Sequence, residues 1–154
     1  MTANIDYAQN RSNSTDIERH LQACDHHFLP PLSTRVDLAA YAGKLVQHAA
    51  RFEAWSAGTL AGLVAAYCND GAAETAFITN VSVLPEWHGH GLARHLLGQC
   101  VQAVDRLGMK HIDLEVSCGN IAAINLYKKL GFITQSTEND ALRMRLTISK
   151  DHKA

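Results

Sequence analysis

Two stretches of the chain hold residues whose types and spacing could do chemistry. The first is Val81-Ser82-Val83-Leu84-Pro85-Glu86-Trp87-His88-Gly89-His90-Gly91-Leu92-Ala93-Arg94. A strand-like run enters a turn with glycines two apart, and the turn opens a long run of helical period. The first turn of a helix leaves backbone N–H groups without partners, and with the helix dipole they make a site for phosphate. Glycines at 89 and 91 remove side chains that would hold an anion away. Taken alone, the segment reads equally as a pyrophosphate cradle and as a plain glycine-rich turn. It is neither the dinucleotide GxGxxG, since the last glycine is missing, nor a Walker loop, since no Gly-Lys-Ser/Thr follows. The second stretch is Leu114-Glu115-Val116, then Asn120-Ile121-Ala122-Ala123-Ile124-Asn125-Leu126-Tyr127-Lys128-Lys129-Leu130-Gly131-Phe132. It places a carboxylate and a phenol about a dozen residues apart.

Composition narrows the classes. The 154 residues suit one compact domain, and 47% apolar residues suffice for a core. A net charge of -1 gives no electrostatic case for nucleic acid. No apolar run reaches the ~18–20 residues of a membrane span. Met1 to Asn13 is polar and lacks the apolar centre of a signal peptide, so a cytoplasmic protein is expected. Cys24, Cys68, Cys100 and Cys118 are single and widely spaced, which reads as reduced thiols. His26-His27 and His88-x-His90 are the tightest histidine groups, and neither supplies the three or four converging ligands of a metal site, so none is expected.

These residues need elements to position them. Residues 3–9 suggest a first strand. Ile17, Leu21 and Cys24 share a face, so 15–25 reads as a helix, capped by Ser14 or Thr15 with Glu18 near its third position. Pro30-Pro31 closes that segment, and a second helix fits Val36 to Ala49. Strands then fit Arg51 to Ser56, Thr59 to Cys68 and Glu74 to Leu84, with turns at Ala57-Gly58 and Asn69-Asp70-Gly71. These three form an antiparallel meander. Leu92, Leu96, Leu97, Cys100, Val104 and Leu107 mark one face of a long helix that Gly108 stops. His111 to Val116 is a strand, and Asn120 to Leu130 a helix with Gly131 as its cap. Phe132 to Ser136 and Leu142 to Ile148 close as a hairpin. The order implies an α/β fold with a mixed sheet, the helix between the Glu74 and His111 strands permitting a parallel crossover.

The first stretch resembles the acetyl-CoA-binding motif of the GNAT superfamily of N-acetyltransferases, Gln/Arg-x-x-Gly-x-Gly/Ala, with His88, Gly91 and Ala93 at its defined positions. His88 departs from the usual Gln or Arg. The second is similar to the family's Leu-Glu-Val and Asn-x-x-Ala-x-x-Leu-Tyr-x-x-x-Gly-Phe. Both motifs occur in the family's order, and the likeness is nearest to ribosomal-protein N-terminal acetyltransferases. The resemblance implies a single GNAT domain over 1–154, with helices on both faces of the sheet and a splayed strand pair that binds the cofactor. It implies that Val81, Ser82 and Val83 and the turn from His88 to Arg94 (His88, Gly89, His90, Gly91, Leu92, Ala93, Arg94) bind acetyl-CoA. Main-chain groups of Val81 and Val83 would meet the pantetheine arm, an N–H near Val83 would meet the thioester oxygen, and Asn120 would contact the arm as well as cap its helix. Tyr127, with an ordinary pKa near 10, would protonate the leaving thiolate. Glu115 would be the general base, with Asn80, Thr79 and a nearby histidine holding a water relay as the alternative.

The acceptor is a primary amine in this family. Phe28 to Leu32 is expected to wall its site, and the absence of an acidic cluster disfavours polyamines and histone tails. A peptide α-amine and an amino sugar or other small amine are both compatible, as is a homodimer. A non-catalytic acyl-CoA-sensing module is the alternative class.

Overall fold

The computed structural model describes residues 4–68 and 74–148. In chain order the elements are β1 (Asp6–Gln9), α1 (Ser14–Cys24), α2 (Leu38–His48), β2 (Ala50–Ser56), β3 (Thr59–Tyr67), β4 (Thr75–Val83), α3 (Leu92–Arg106), β5 (His111–Ser117), α4 (Ile121–Lys129), β6 (Ile133–Glu138) and β7 (Ala141–Thr147). Short 3-10 turns at Asp25–His27, Leu32–Thr34 and Pro85–Trp87 fill connections that read as irregular in the sequence. The seven strands form one sheet in the order β1-β2-β3-β4-β5-β7-β6. The expected α/β fold and the β2-β3-β4 meander are present, and β4 pairs parallel with β5 across α3.

The ends of the elements follow local chemistry. Asn13, not Ser14 or Thr15, caps α1: its Oδ1 accepts from the Asp16 amide at 2.8 Å, and Asp16 Oδ2 accepts from the Asn13 amide at 3.0 Å. An aspartate three residues after the cap closes the same reciprocal box that a glutamate would, so Glu18 is not needed. Leu107 is 63% exposed, because α3 ends at Arg106 and Gly108 turns the chain at φ +78°. The face of α3 toward the sheet is Leu92, Leu96, Leu97, Cys100 and Val104. Gly131 leaves α4 at φ +105°, a region that favours glycine. The Asn139-Asp140 hairpin turn has positive φ at both residues, which suits the twist of β6 and β7. The Asn69-Asp70-Gly71 turn lies outside the described residues.

Two apolar clusters lie against the sheet. One gathers the buried residues of α3 and α4 with Phe52, Val64, Ile78, Ile112, Leu114 and Met144. The other gathers Ile17 and Leu21 of α1 and Ala42 and Leu45 of α2 with Trp55, Leu60, Leu63 and Ala65. A buried charge pair pins the chain before α1 to the second layer. Glu53 is fully buried, and its carboxylate accepts from the Arg11 and Ser12 amides, the Ser12 hydroxyl and the Trp55 indole. Arg51 Nε lies 3.5 Å from it and also donates to the Ser12 hydroxyl, while its other nitrogens donate to carbonyls of Ser12, Leu45, Val46 and Ala49.

Removing one partner of such a pair strands the other charge, at a cost of about 3–5 kcal/mol. Arg51→Ala is therefore expected to lower unfolding free energy by about that amount in urea titration. A loss below about 1 kcal/mol would show that the pair does not hold this layer.

Candidate active site

The site begins where two strands part. The β4–β5 ladder runs from Thr75–His111 to Ile78–Leu114 and stops. Beyond it β4 continues to Val83 paired only with β3, and β5 to Ser117 paired only with β7. A bulge accompanies the parting: Ala65 faces Asn80 and Ala66 faces Ile78, which leaves Thr79 unpaired. The Tyr41 hydroxyl, from α2, donates to the Thr79 carbonyl at 3.0 Å and lies 2.8 Å from its Oγ1. The Leu84 amide donates to Ala61 of β3. Alternation along the strand then turns the N–H and C=O groups of Val83 and Val81 the other way, into the gap that β5 has left.

Two cavities open along this gap. One, of about 410 Å³, is walled by Phe28, Leu29, Pro30 and Leu32, by Thr79 and Asn80, by Leu114, Glu115 and Ser117, and by Asn139 and Asp140. The other, of about 580 Å³, is walled by Ser82, Val83, His88, Gly89, Gly91, Leu92, Ala93 and Arg94, with Cys24, Trp87 and Leu126. Phe28, Val81, Asn120 and Tyr127 belong to both walls.

The glycine turn fits an anion. Gly89 and Gly91 have φ of +80° and +77°, and a Cβ built on either meets no atom within 4 Å. Gly91 is the N-cap of α3 and offers no side chain, so the first N–H groups of the helix stay open toward the second cavity. His88 turns back on its own strand, Nε2 donating to the Val83 carbonyl at 2.9 Å. That carbonyl is thus already engaged, and the arm of a ligand is left the Val83 N–H and both main-chain groups of Val81. The His90 side chain stands edge-on to Trp87 and 3.1 Å from the His88 carbonyl, outside both cavity walls. Arg94 is exposed on the first turn of α3.

Asn120 caps α4, its Oδ1 accepting from the Ala123 amide at 3.3 Å. About two turns on, Tyr127 is 6% exposed, and burial raises its hydroxyl to about 12 rather than the ordinary 10 expected from the sequence. The phenol is therefore a neutral donor across the working pH range and a weaker acid than expected. Glu115 is exposed, with Oε2 3.7 Å from Arg143 Nη1. Asp113, on the same face, is buried; burial alone would raise its pKa, but hydrogen bonds from Arg145 at 2.7 and 3.1 Å and from Arg143 at 3.2 Å bring it below the ordinary value. The two carboxylates that alternate on β5 thus part in role, one locked by β7 arginines and the other open to the first cavity. Neither arginine was singled out in the sequence, where no local signal ties β7 to β5. His20 was also missed, although it sits among the apolar positions of α1. Among the described residues no three His, Cys, Asp or Glu converge as a metal site, and no helix is long and apolar enough to cross a membrane. All four cysteines are free, and burial pushes Cys24 and Cys100 up to about 12.

With this geometry in place, the likeness to known proteins is specific. The model of the acetyltransferase (GNAT) family matches residues 15–132, and the chain belongs to that family. A curated relative, the [ribosomal protein bS18]-alanine N-acetyltransferase of Escherichia coli K12, is 34% identical over 86 residues. That match covers 49% of this chain and 58% of the relative, a little over half its length. The crystal structure of the ribosomal-protein-S18-alanine N-acetyltransferase from E. coli has the same fold, with a TM-score of 0.75 and 23% identity over 96% of this chain and 95% of that one. So has an N-acetyltransferase from Thermoplasma acidophilum in complex with coenzyme A, with a TM-score of 0.73 and 14% identity over 96% and 99%.

The raised Tyr127 pKa has a stability consequence. Between about pH 10 and 12 the folded protein holds a proton that the unfolded chain has released, so stability falls as pH rises through that window. Cys24 and Cys100 contribute a fall of the same sign, so unfolding measured against pH is expected to show a steeper fall in the wild type than in Tyr127→Phe. Equal slopes would place the Tyr127 hydroxyl in solvent.

Proposed function

We propose that the protein is an N-acetyltransferase that moves an acetyl group from acetyl-CoA to a primary amine, with a peptide α-amine as the favoured acceptor. One observation carries this reading: the two cavities meet at a wall shared by Phe28, Val81, Asn120 and Tyr127. A donor held by the glycine turn and an acceptor held under Phe28 and Leu32 would reach one point from opposite sides. The likeness to the [ribosomal protein bS18]-alanine N-acetyltransferase of E. coli supports the acceptor class. The chain would work as one catalytic domain.

The chemistry follows from the residues around that point. The open amides at the start of α3 would bind the diphosphate of coenzyme A. The pantetheine arm would lie along β4 and take up the main-chain groups of Val81. The Val83 N–H would stabilise the oxygen of the thioester as charge develops on it. The amine nitrogen attacks the acetyl carbon, the new C–N bond forms, and the C–S bond breaks. Glu115 would take the amine proton through water. Tyr127, with its high pKa, would act chiefly by donating a hydrogen bond to the leaving sulfur. Holding both partners in line removes several kcal/mol of the barrier.

Free thiol should appear from acetyl-CoA with short peptide acceptors, and less or none with amino sugars and polyamines. Binding of acetyl-CoA without thiol release on any acceptor would indicate a sensing module instead. Tyr127→Phe is expected to lower kcat by about a hundredfold with the Kd for acetyl-CoA changed less than about twofold. Glu115→Gln should lower kcat by at least about tenfold, and an unchanged kcat would assign the base elsewhere. Gly91→Trp should weaken acetyl-CoA binding by at least about tenfold, because the new ring fills the cradle.

A further inference from the structure

Arg35 is the one cationic side chain in the wall of the first cavity among the described residues, and it has no part in the chemistry above. The chain that carries it is held by local bonds. The Ser33 amide and hydroxyl donate to the two Asp25 carboxylate oxygens at 2.8 and 2.6 Å. The Thr34 hydroxyl donates to the Pro31 carbonyl at 2.6 Å, and the Arg35 amide to the Leu32 carbonyl at 2.9 Å. Leu32 itself is buried. These bonds also occupy the acids nearest in sequence. Asp25 is taken by Ser33, and Asp37 caps α2 through the Ala40 amide. Among the described residues no carboxylate forms an ion pair with Arg35. Its base is fixed while its charged end stays unpaired.

That charge belongs to the β4 side of the gap. Burial raises the pKa of the Tyr41 hydroxyl, and the Arg35 charge is near enough to offset part of the rise. The same hydroxyl is bonded to Thr79 of β4, which lines the cavity. The carboxylates of the cavity come from across the gap, Glu115 from β5 and Asp140 from the turn between β6 and β7. Glu115 shares its charge with Arg143, and Asp140 is exposed. One cavity of about 410 Å³ therefore has a positive side and a negative side. A molecule with an ammonium and an anionic group is drawn in with one orientation, its ammonium toward the carboxylates and its anion toward Arg35. The planar guanidinium fork suits a carboxylate, which it can hold by two parallel hydrogen bonds. A phosphate, with up to two charges, would meet stronger repulsion from Glu115 and Asp140 in so small a space.

We propose that Arg35 is a specificity-determining residue of the first cavity: it binds a carboxylate that the acceptor carries near its reacting amine, so that acidic acceptors are preferred to neutral and basic ones. In a peptide this carboxylate would be an acidic side chain at the second residue. In a free amino acid it would be the α-carboxylate. The inference rests on the acetyltransferase reading and narrows the class of amine that reading leaves open.

The test measures thiol release from acetyl-CoA with three peptide amides that differ only at the second residue, Ala-Glu-Ala-Ala, Ala-Gln-Ala-Ala and Ala-Lys-Ala-Ala. At low salt the wild type is expected to favour the Glu over the Gln peptide about tenfold in kcat/KM, chiefly through KM. That ratio should shrink as ionic strength rises. Arg35→Ala should bring it within about twofold, and Arg35→Glu should place the Lys peptide above the Glu peptide. Alanine set against alaninamide tests the α-carboxylate as the source, and a preference for alanine that Arg35→Ala removes would assign the site to free amino acids. The Kd for acetyl-CoA checks that each variant is folded. If Arg35→Glu fails that check, Arg35→Gln and the wild-type salt series decide in its place. A wild type that releases thiol with no preference for the acid in either set, or a preference that Arg35→Ala retains, overturns this inference and leaves the proposed function standing. A wild type that releases no thiol with any acceptor overturns the proposed function itself, and this inference with it.

Discussion

The structure depends on a break in its own sheet. Ladder hydrogen bonds are normally kept through the centre of a sheet, since an unpaired main-chain group away from water is costly. Here β4 and β5 are neighbours at the middle of seven strands, yet they part after Ile78 and Leu114. The bulge at Thr79 turns β4 aside, and Tyr41 of α2 holds that bulge by its carbonyl. Both cavities, the glycine turn and the shared wall at Tyr127 lie along the opening this creates. Without the parting, Val81 and Val83 would be ordinary ladder residues and α3 would begin against a closed sheet.

The rest of the fold keeps that opening from closing or spreading. The Arg51–Glu53 pair ties the start of α1 to β2, and His20 ties α1 to both β3 and β4. On the far side, Arg143 and Arg145 of β7 grip Asp113 of β5. Each half of the sheet is thus braced by a buried polar group on its own side of the gap. Buried charges seldom add net stability over apolar packing, but they tolerate few alternative arrangements.

Much of this was legible in the sequence. Element order, the parallel crossover, the glycine turn and the cap at Asn120 follow from periodicity and turn chemistry, which are local. The sequence offers Ser14 or Thr15 as the α1 cap, one or two residues late, because Asn13, Ser14 and Thr15 are all capping types and only the reciprocal bond to Asp16 decides between them. Leu107 fitted the apolar period of α3 but falls past its last turn. The partners of β5 were not legible. Asp113 and Glu115 look alike in alternation, and the arginines that separate them lie about thirty residues on. His20 looked like one more residue on an apolar helix face, and its meaning comes from Leu60 and Ser82, which only the folded sheet brings to it. Tyr127 was found by its motif, but burial, which no motif encodes, sets its acidity.

The parted strands also make the protein's resistance to unfolding a function of what it holds. A ligand whose amide-bearing arm fills the gap supplies the missing ladder partner, and it can do so only for the folded chain. Linkage then adds about 2.7 kcal/mol at a hundred times the dissociation constant. Under the proposed function the central opening would be a joint that the donor closes, and the chain's resistance to unfolding and proteolysis would rise with the donor bound to it.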